Sequence, residues 1–141
     1  MVNLGTLHVN LITKSPGVAQ TLQHIVSNLV PRSSYLPLSL QRLNEGTFCP
    51  AMKEGTIGLI AGELQGANSI IVVDESKLVE GKLESKGIAN LQGLKSVIEF
   101  GKLPIDLQYH EMSVDVDIGC LVVSEGPSLL KVRKRREEFY F

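Results

Sequence analysis

Cysteine is scarce in this chain of 141 residues. Cys49 and Cys120 are the only two. That is too few for a disulfide framework, and neither stands in a C-x-x-C or Cys/His cluster of the kind that holds zinc. They read as reduced structural thiols. Long apolar runs are missing as well. "SIIVV" (69–73) and "CLVV" (120–123) fall far short of the ~20 residues a membrane helix needs. Nothing at the N-terminus has the form of a signal peptide, so the expected setting is intracellular. A net charge of −1 supplies no global field toward nucleic acid or membrane. His8, His24 and His110 are scattered without ligand spacing, so no metal site is expected. No G-x-S-x-G surrounds Ser15 or Ser124, which leaves a serine–histidine–Asp74 triad without support.

What is present suits a single domain with a real core. Hydrophobic content is 43% and charged content 21%, ordinary for a globular protein. "TLHVNLI" (6–12) alternates and ends in the polar turn "TKSPG", which predicts a strand and loop. Val18, Leu22, Ile25, Val26 and Leu29 recur at helical spacing, predicting a helix that Pro31 stops. "YLPLSLQRL" (35–43) alternates again, and its Pro37 argues for an edge strand. "IGLIAGELQ" (57–65) reads equally as a glycine-interrupted strand or a short helix. "SIIVVDE" is a continuous β-branched run, as in a strand buried on both faces. Ile88, Leu91, Leu94, Val97 and Ile98 mark a helix over 88–100. Residues 102–124 read as strands, with a hairpin near His110–Ser113 and a second buried strand at "IGCLVV". This order argues for a three-layer α/β fold around a mostly parallel sheet. The crevice of such a sheet lies at the carboxyl ends of its strands, where Thr13, Asp74 and Ser124 would emerge.

The buried run ends in Asp74-Glu75. Nucleotide-hydrolysing sheets place a metal-binding Asp and a water-polarising Glu in this way, but only beside a phosphate loop. That loop requires G-x-x-x-x-G-K-[ST] between strand and helix, so that converging backbone N–H groups, a lysine and a hydroxyl hold phosphate and magnesium. The available segment is "TKSPGVAQ" (13–20). Lys14-Ser15 is preceded by Thr13 where glycine is needed, and His8 stands where the other glycine belongs. In the register set from the helix, Ala19-Gln20 take the Lys-Ser/Thr places. Neither alignment yields a cradle. Without it, Asp74 and Glu75 read as a solvated turn or a capping group.

Several segments together resemble the mini-chromosome maintenance (MCM) complex-binding protein family. They are Asp74-Glu75, Leu78, Gly81-Lys82-Leu83 and Gly87-Ile88-Ala89-Asn90; then Tyr109 and Met112; then Ser124-Glu125-Gly126 and Ser128. Upstream, "LGTLHVNL", "HIVSNLVP" and the element at Pro50 and Lys53 fit the same pattern. The resemblance spans roughly residues 4–130. Pro127 departs from it, standing where the family carries arginine, and so does the ending "KVRKRREEFYF". The resemblance implies a degenerate P-loop, AAA+-like domain over 1–130, related to the MCM helicase ATPase. In it Asp74 and Glu75 are vestiges of the Walker B pair, and Ser124 holds the place of a γ-phosphate sensor. It also implies a nuclear, non-enzymatic interaction module without cofactor, whose partners are MCM subunits in complex assembly, protection or unloading, with links to the cell cycle and sister chromatid cohesion. The family protein is much longer, and Met1 is followed almost at once by an expected core strand, so this sequence is expected to be a piece of a longer chain.

Residues 131–141 form a separate basic tail. Lys131, Arg133, Lys134, Arg135 and Arg136 make a run of positive charge followed by Glu137-Glu138. The run reads as a nuclear-import or nucleic-acid patch, or as a solvated tail. The few aromatics beside it do not make a base-stacking platform. Two functions remain beside the interaction module: a nucleotide-binding domain completed by a partner, and a nucleic-acid-binding module using this tail.

Overall fold

The computed structural model describes residues 7–52, 55, 58–64 and 70–130; Lys53 and the basic tail lie outside them. Eight strands and three helices follow in the order β1 (His8–Ile12), α1 (Val18–Leu29), β2 (Ser33–Pro37), α2 (Leu40–Glu45), β3 (Ala51–Met52), β4 (Leu59–Ile60), β5 (Ile70–Asp74), α3 (Ser85–Phe100), β6 (Lys102–Asp106), β7 (Glu111–Asp115) and β8 (Gly119–Ser124). Four of the strands build an all-parallel sheet in the order β1-β8-β5-β2. A second, mixed sheet runs β4-β3-β6-β7. The expected α/β class is therefore present, with a second sheet added.

The two continuous apolar runs became the two central strands, β5 and β8, which agrees with burial on both faces. Pro37 closes β2 on the sheet's edge, where a residue without N–H costs no ladder bond. Register places Val9, Leu121, Val72 and Tyr35 on one face and Cys120, Val122, Ile71, Val73 and Leu36 on the other. Helix α1 covers the first face, where Ala19, Leu22 and Val26 pack on Val72, Val123 and Leu121. Across the second face lie Leu94, Val97 and Ile98 of α3, Leu43 of α2, and Phe48 and Leu103, in one core with Ile71, Val73 and Val122. Each such fully buried side chain contributes about 1.5–3 kcal/mol.

Local signals set the helix ends. Gly17 opens α1 with φ +78°, and extended Val30 closes it, since the residue before Pro31 is driven from helical geometry. Gly101, at φ +64°, ends α3 with its N–H bonded to the Val97 carbonyl.

Three expectations change. Residues 35–43 are not one strand: β2 ends at Pro37, and Ser39 caps the short α2 by accepting from the Arg42 N–H. Ile25 and Leu29 of the α1 stripe are exposed. Gln23 Nε2 donates to Ser33 Oγ on β2, and α1 lies closest to β2 and β5. In α3 the inward stripe is Gly87, Asn90, Gly93, Leu94, Val97 and Ile98, while Ile88 is exposed. The small residues are there because α2 and the following turn come close. A Cβ at Gly93 would overlap the Cys49 sulfur, and one at Gly87 the Asn44 side chain. Asn90, buried between them, donates to the Leu43 and Gly46 carbonyls (both 2.8 Å) and accepts from the Phe48 N–H.

Candidate functional site: the crevice at the carboxyl ends of the parallel sheet

β1, β5 and β8 all end at one place, and a crevice of about 270 Å³ opens there. Thr13, Ser15, Gly17 and Gln20 line one side, with Asp74, Lys77, Ser124 and Glu125 on the other. The three residues expected to emerge at the strand ends, Thr13, Asp74 and Ser124, do meet. The volume is near the lower end of small-molecule sites, which run from about 300 Å³ upward. A wider, shallow hollow of about 520 Å³ near Pro37, Arg42 and Glu63 adjoins the crevice at Lys77, and Arg42 there is paired with Glu63 at 2.7 Å.

Asp74 is only 3% exposed, so it is not the solvated turn residue expected from the sequence. Tyr35 Oη donates to its Oδ2 at 2.5 Å, and the Ser76 N–H donates to its Oδ1 at 2.9 Å. Register makes the first bond possible, because Tyr35 pairs with Val72 and lies diagonally across from Asp74 on the same face. Burial pushes the Asp74 carboxyl up, but the bonds from Ser76 and Tyr35 outweigh it and hold it below the usual carboxylate range. Burial, with the Asp74 bond and charge, pushes the Tyr35 phenol up to about 12.

Glu75 points to the other face of the sheet by strand alternation. It is buried as well. Ser128 Oγ donates to its Oε1 at 2.9 Å, and the Leu129 N–H donates to its Oε2 at 3.3 Å. These bonds fasten the segment after β8, whose Leu130 is in the core. Burial raises the Glu75 carboxyl above its usual range, with the Ser128 and Leu129 bonds opposing. Ser124, also 3% exposed, donates to the Gly126 carbonyl at 2.8 Å and reaches Asn10 Oδ1 at 3.5 Å.

The loop at the mouth is committed too. The Thr13 N–H donates to the Ser124 carbonyl (2.9 Å), the Ser15 N–H to Thr13 Oγ1 (3.2 Å), and Pro16 has no N–H. A phosphate cradle needs successive free amides, and here two are occupied and a third is missing. Lys14 is exposed and does not line the crevice. Among the described residues no group of three or more His, Cys, Asp or Glu could hold a metal ion, and no helix is long and apolar enough to cross a membrane. Within the crevice the Asp74 carboxylate thus serves as an acceptor for the protein's own donors.

Of the residues that tie these acids down, sequence reasoning did not single out Tyr35 or Ser76 and named Ser128 only within the family resemblance. Tyr35 carried a signal, a hydroxyl on a strand adjacent to β5, but no local motif reveals a cross-strand diagonal. Asn90 was quoted only as part of a turn pattern, yet it is the buried polar hub between α2 and α3.

The chain matches the family described as "Mini-chromosome maintenance replisome factor" over residues 1–135. It is 33% identical over 130 residues to the "Mini-chromosome maintenance complex-binding protein" of Gallus gallus, covering 90% of this chain. It is 36% identical over 122 residues to that of Drosophila melanogaster, covering 86%, and 32% identical over 130 residues to that of Homo sapiens, covering 90%. The chain spans 20% of the length of each of these relatives. A match of this extent settles the family: the chain belongs to the mini-chromosome maintenance replisome factors.

Proposed function

We propose that this chain is a non-catalytic, nuclear interaction module that associates with MCM helicase subunits during DNA replication, in assembly, protection or unloading of the complex. The observation that carries the non-catalytic part is that the polar groups expected to handle nucleotide are bonded within the protein. Asp74, Glu75 and Ser124, the residues in Walker B-like and sensor-like places, each spend their hydrogen-bonding capacity inside the protein. In the loop that would bind phosphate the Thr13 and Ser15 N–H groups are engaged and Pro16 has none. The relatives, named as mini-chromosome maintenance complex-binding proteins, support the choice of partner.

The sheet supports a pseudo-ATPase, AAA+-like reading of the domain over 1–130. The loop strand β1 and the Asp-Glu strand β5 flank β8, the strand ending in Ser124, so all three elements of a nucleotide site would face one crevice. Ring ATPases join by heterologous contacts, one face of a subunit meeting the opposite face of the next. A subunit-shaped module that binds no nucleotide can occupy one such face without closing a ring. The basic tail (Lys131, Arg133, Lys134, Arg135, Arg136) is read as an import signal on this account. Calorimetric titration of the chain with magnesium-ATP is expected to show no binding. Saturable binding that disappears in Asp74→Asn would replace this reading with a nucleotide site.

A further inference from the structure

The β6–β7 hairpin is the most exposed element of the second sheet: all five residues of β7 are open to solvent, and Tyr109 at its tip is 88% exposed. The turn is held by the Leu107 N–H on the His110 carbonyl, with Gln108 at φ +69°. At the other end the Val116 N–H donates to the Gly101 carbonyl. With the register Leu103↔Val114 and Ile105↔Met112, antiparallel alternation makes these the bonded pairs. The N–H and C=O groups of Glu111, Ser113 and Asp115 therefore point away from β6, onto the open side of β7. Pro104, opposite Ser113, fits this phase, since its position donates nothing toward β7.

Native edges are commonly blunted by lysine, proline or a bulge. β7, "EMSVD", has none of these three; its protection against casual pairing is the charge of Glu111 and Asp115, which selects for a basic partner. Its two faces are chemically distinct. One carries Glu111 and Asp115; Lys102 lies across from Asp115, while Asp106 pairs directly across from Glu111. Two like charges facing each other across a ladder are unfavourable. Between residues 102 and 117 there are four carboxylates and one lysine. The other face carries Met112 and Val114, 49% and 42% exposed, in register with Ile105 and Leu103, which are buried. Among the described residues, the apolar stripe of the core thus runs out onto the edge strand uncovered.

We infer that the free edge of β7 receives a strand of the partner protein in which basic and apolar residues alternate. Backbone pairing to residues 111, 113 and 115 extends the sheet. The partner's Lys or Arg side chains settle over Asp106 and Glu111 and relieve their opposition, and its apolar side chains cover Met112 and Val114. This inference rests on the MCM-binding reading above and names the surface that serves it.

The test compares the full chain with two variants for binding to the purified MCM complex. Glu111→Lys reverses charge at an exposed site. Ser113→Pro deletes an outward N–H and leaves the β6–β7 bonds in place. Both should keep the parent's circular dichroism and weaken binding by about tenfold or more, and the parent's binding should itself weaken with rising salt. If Ser113→Pro is unfolded, Glu111→Lys carries the test alone. Parent and variants binding equally well overturns this inference and leaves the MCM-binding function standing. A parent that binds no MCM protein overturns both. A dimer of the chain that Ser113→Pro dissolves, with MCM binding unchanged, overturns the inference in favour of pairing between copies.

Discussion

If the Asp74 carboxylate is a structural acceptor, removing it destabilises the fold. Asp74→Ala strands two donors, the Tyr35 hydroxyl and the Ser76 N–H. A hydrogen bond to a charged group is worth about 1.5–3 kcal/mol. Tyr35 is half-buried and Ser76 exposed, so water recovers part of each, and the expected loss is about 2–4 kcal/mol in total. Tyr35→Phe deletes only the donor and should cost about 1–2 kcal/mol. Because the two side chains act on each other, the Tyr35→Phe/Asp74→Ala cycle should show a coupling of about 1–2 kcal/mol. The chain has no tryptophan, so urea unfolding is followed by circular dichroism, with an unchanged slope as the sign that stability alone moved. An acid kept for a metal behaves in the opposite way, since its loss commonly leaves stability unchanged or improved. A neutral or stabilising Asp74→Ala, or a coupling below about 0.5 kcal/mol, would refute the structural reading.

Asn90→Ala leaves the Leu43 and Gly46 carbonyls and the Phe48 N–H without their partner and should cost about 3 kcal/mol or more, read as a fall in urea midpoint. Gly93→Ala drives a methyl group into the Cys49 sulfur and should cost about 1–3 kcal/mol, with much of the loss recovered in Gly93→Ala/Cys49→Ala. The two acids at the end of β5 have opposite pH signatures. The Asp74 carboxyl is lowered in the folded state, so its stabilisation is present above the ordinary Asp range and lost as pH falls through its folded value. The Glu75 carboxyl is raised, so its contribution is present below the ordinary Glu range and lost as pH rises through its folded value. Urea midpoints measured from about pH 3 to pH 7 should therefore lose an acid-side decline in Asp74→Asn and a decline with rising pH in Glu75→Gln. Burial pushes the Cys49 thiol to about 11 and the Cys120 thiol to about 12, so a thiol reagent at about pH 8 should label Cys120 only as fast as the chain opens.

The central sheet was readable because its signals are local. A β-branched run announces a doubly buried strand, and Pro37 and Pro31 mark an edge and a helix stop through their missing N–H and fixed φ. The crevice was readable from the same strand ends. The parts that sequence did not disclose depend on pairs of elements. α2 has six residues and one buried side chain, Leu43, too short for a periodic signal. Ile25 and Ile88 are apolar at helical spacing yet exposed, because the position of each helix over its sheet decides which flank is covered. The contact face of α3 is written in glycines and an asparagine, which a hydrophobic pattern passes over. The buried state of Asp74 and Glu75 rests on Tyr35 and Ser128, 39 and 53 residues away, and no spacing rule connects them.

The central claim is tested most directly by passing the purified chain, mixed with individual MCM subunits and with the assembled complex, through size exclusion at moderate salt with and without magnesium-ATP. Selective co-elution with MCM protein, unchanged by nucleotide, is the predicted result. A folded chain that co-elutes with no MCM protein under either condition would contradict the account.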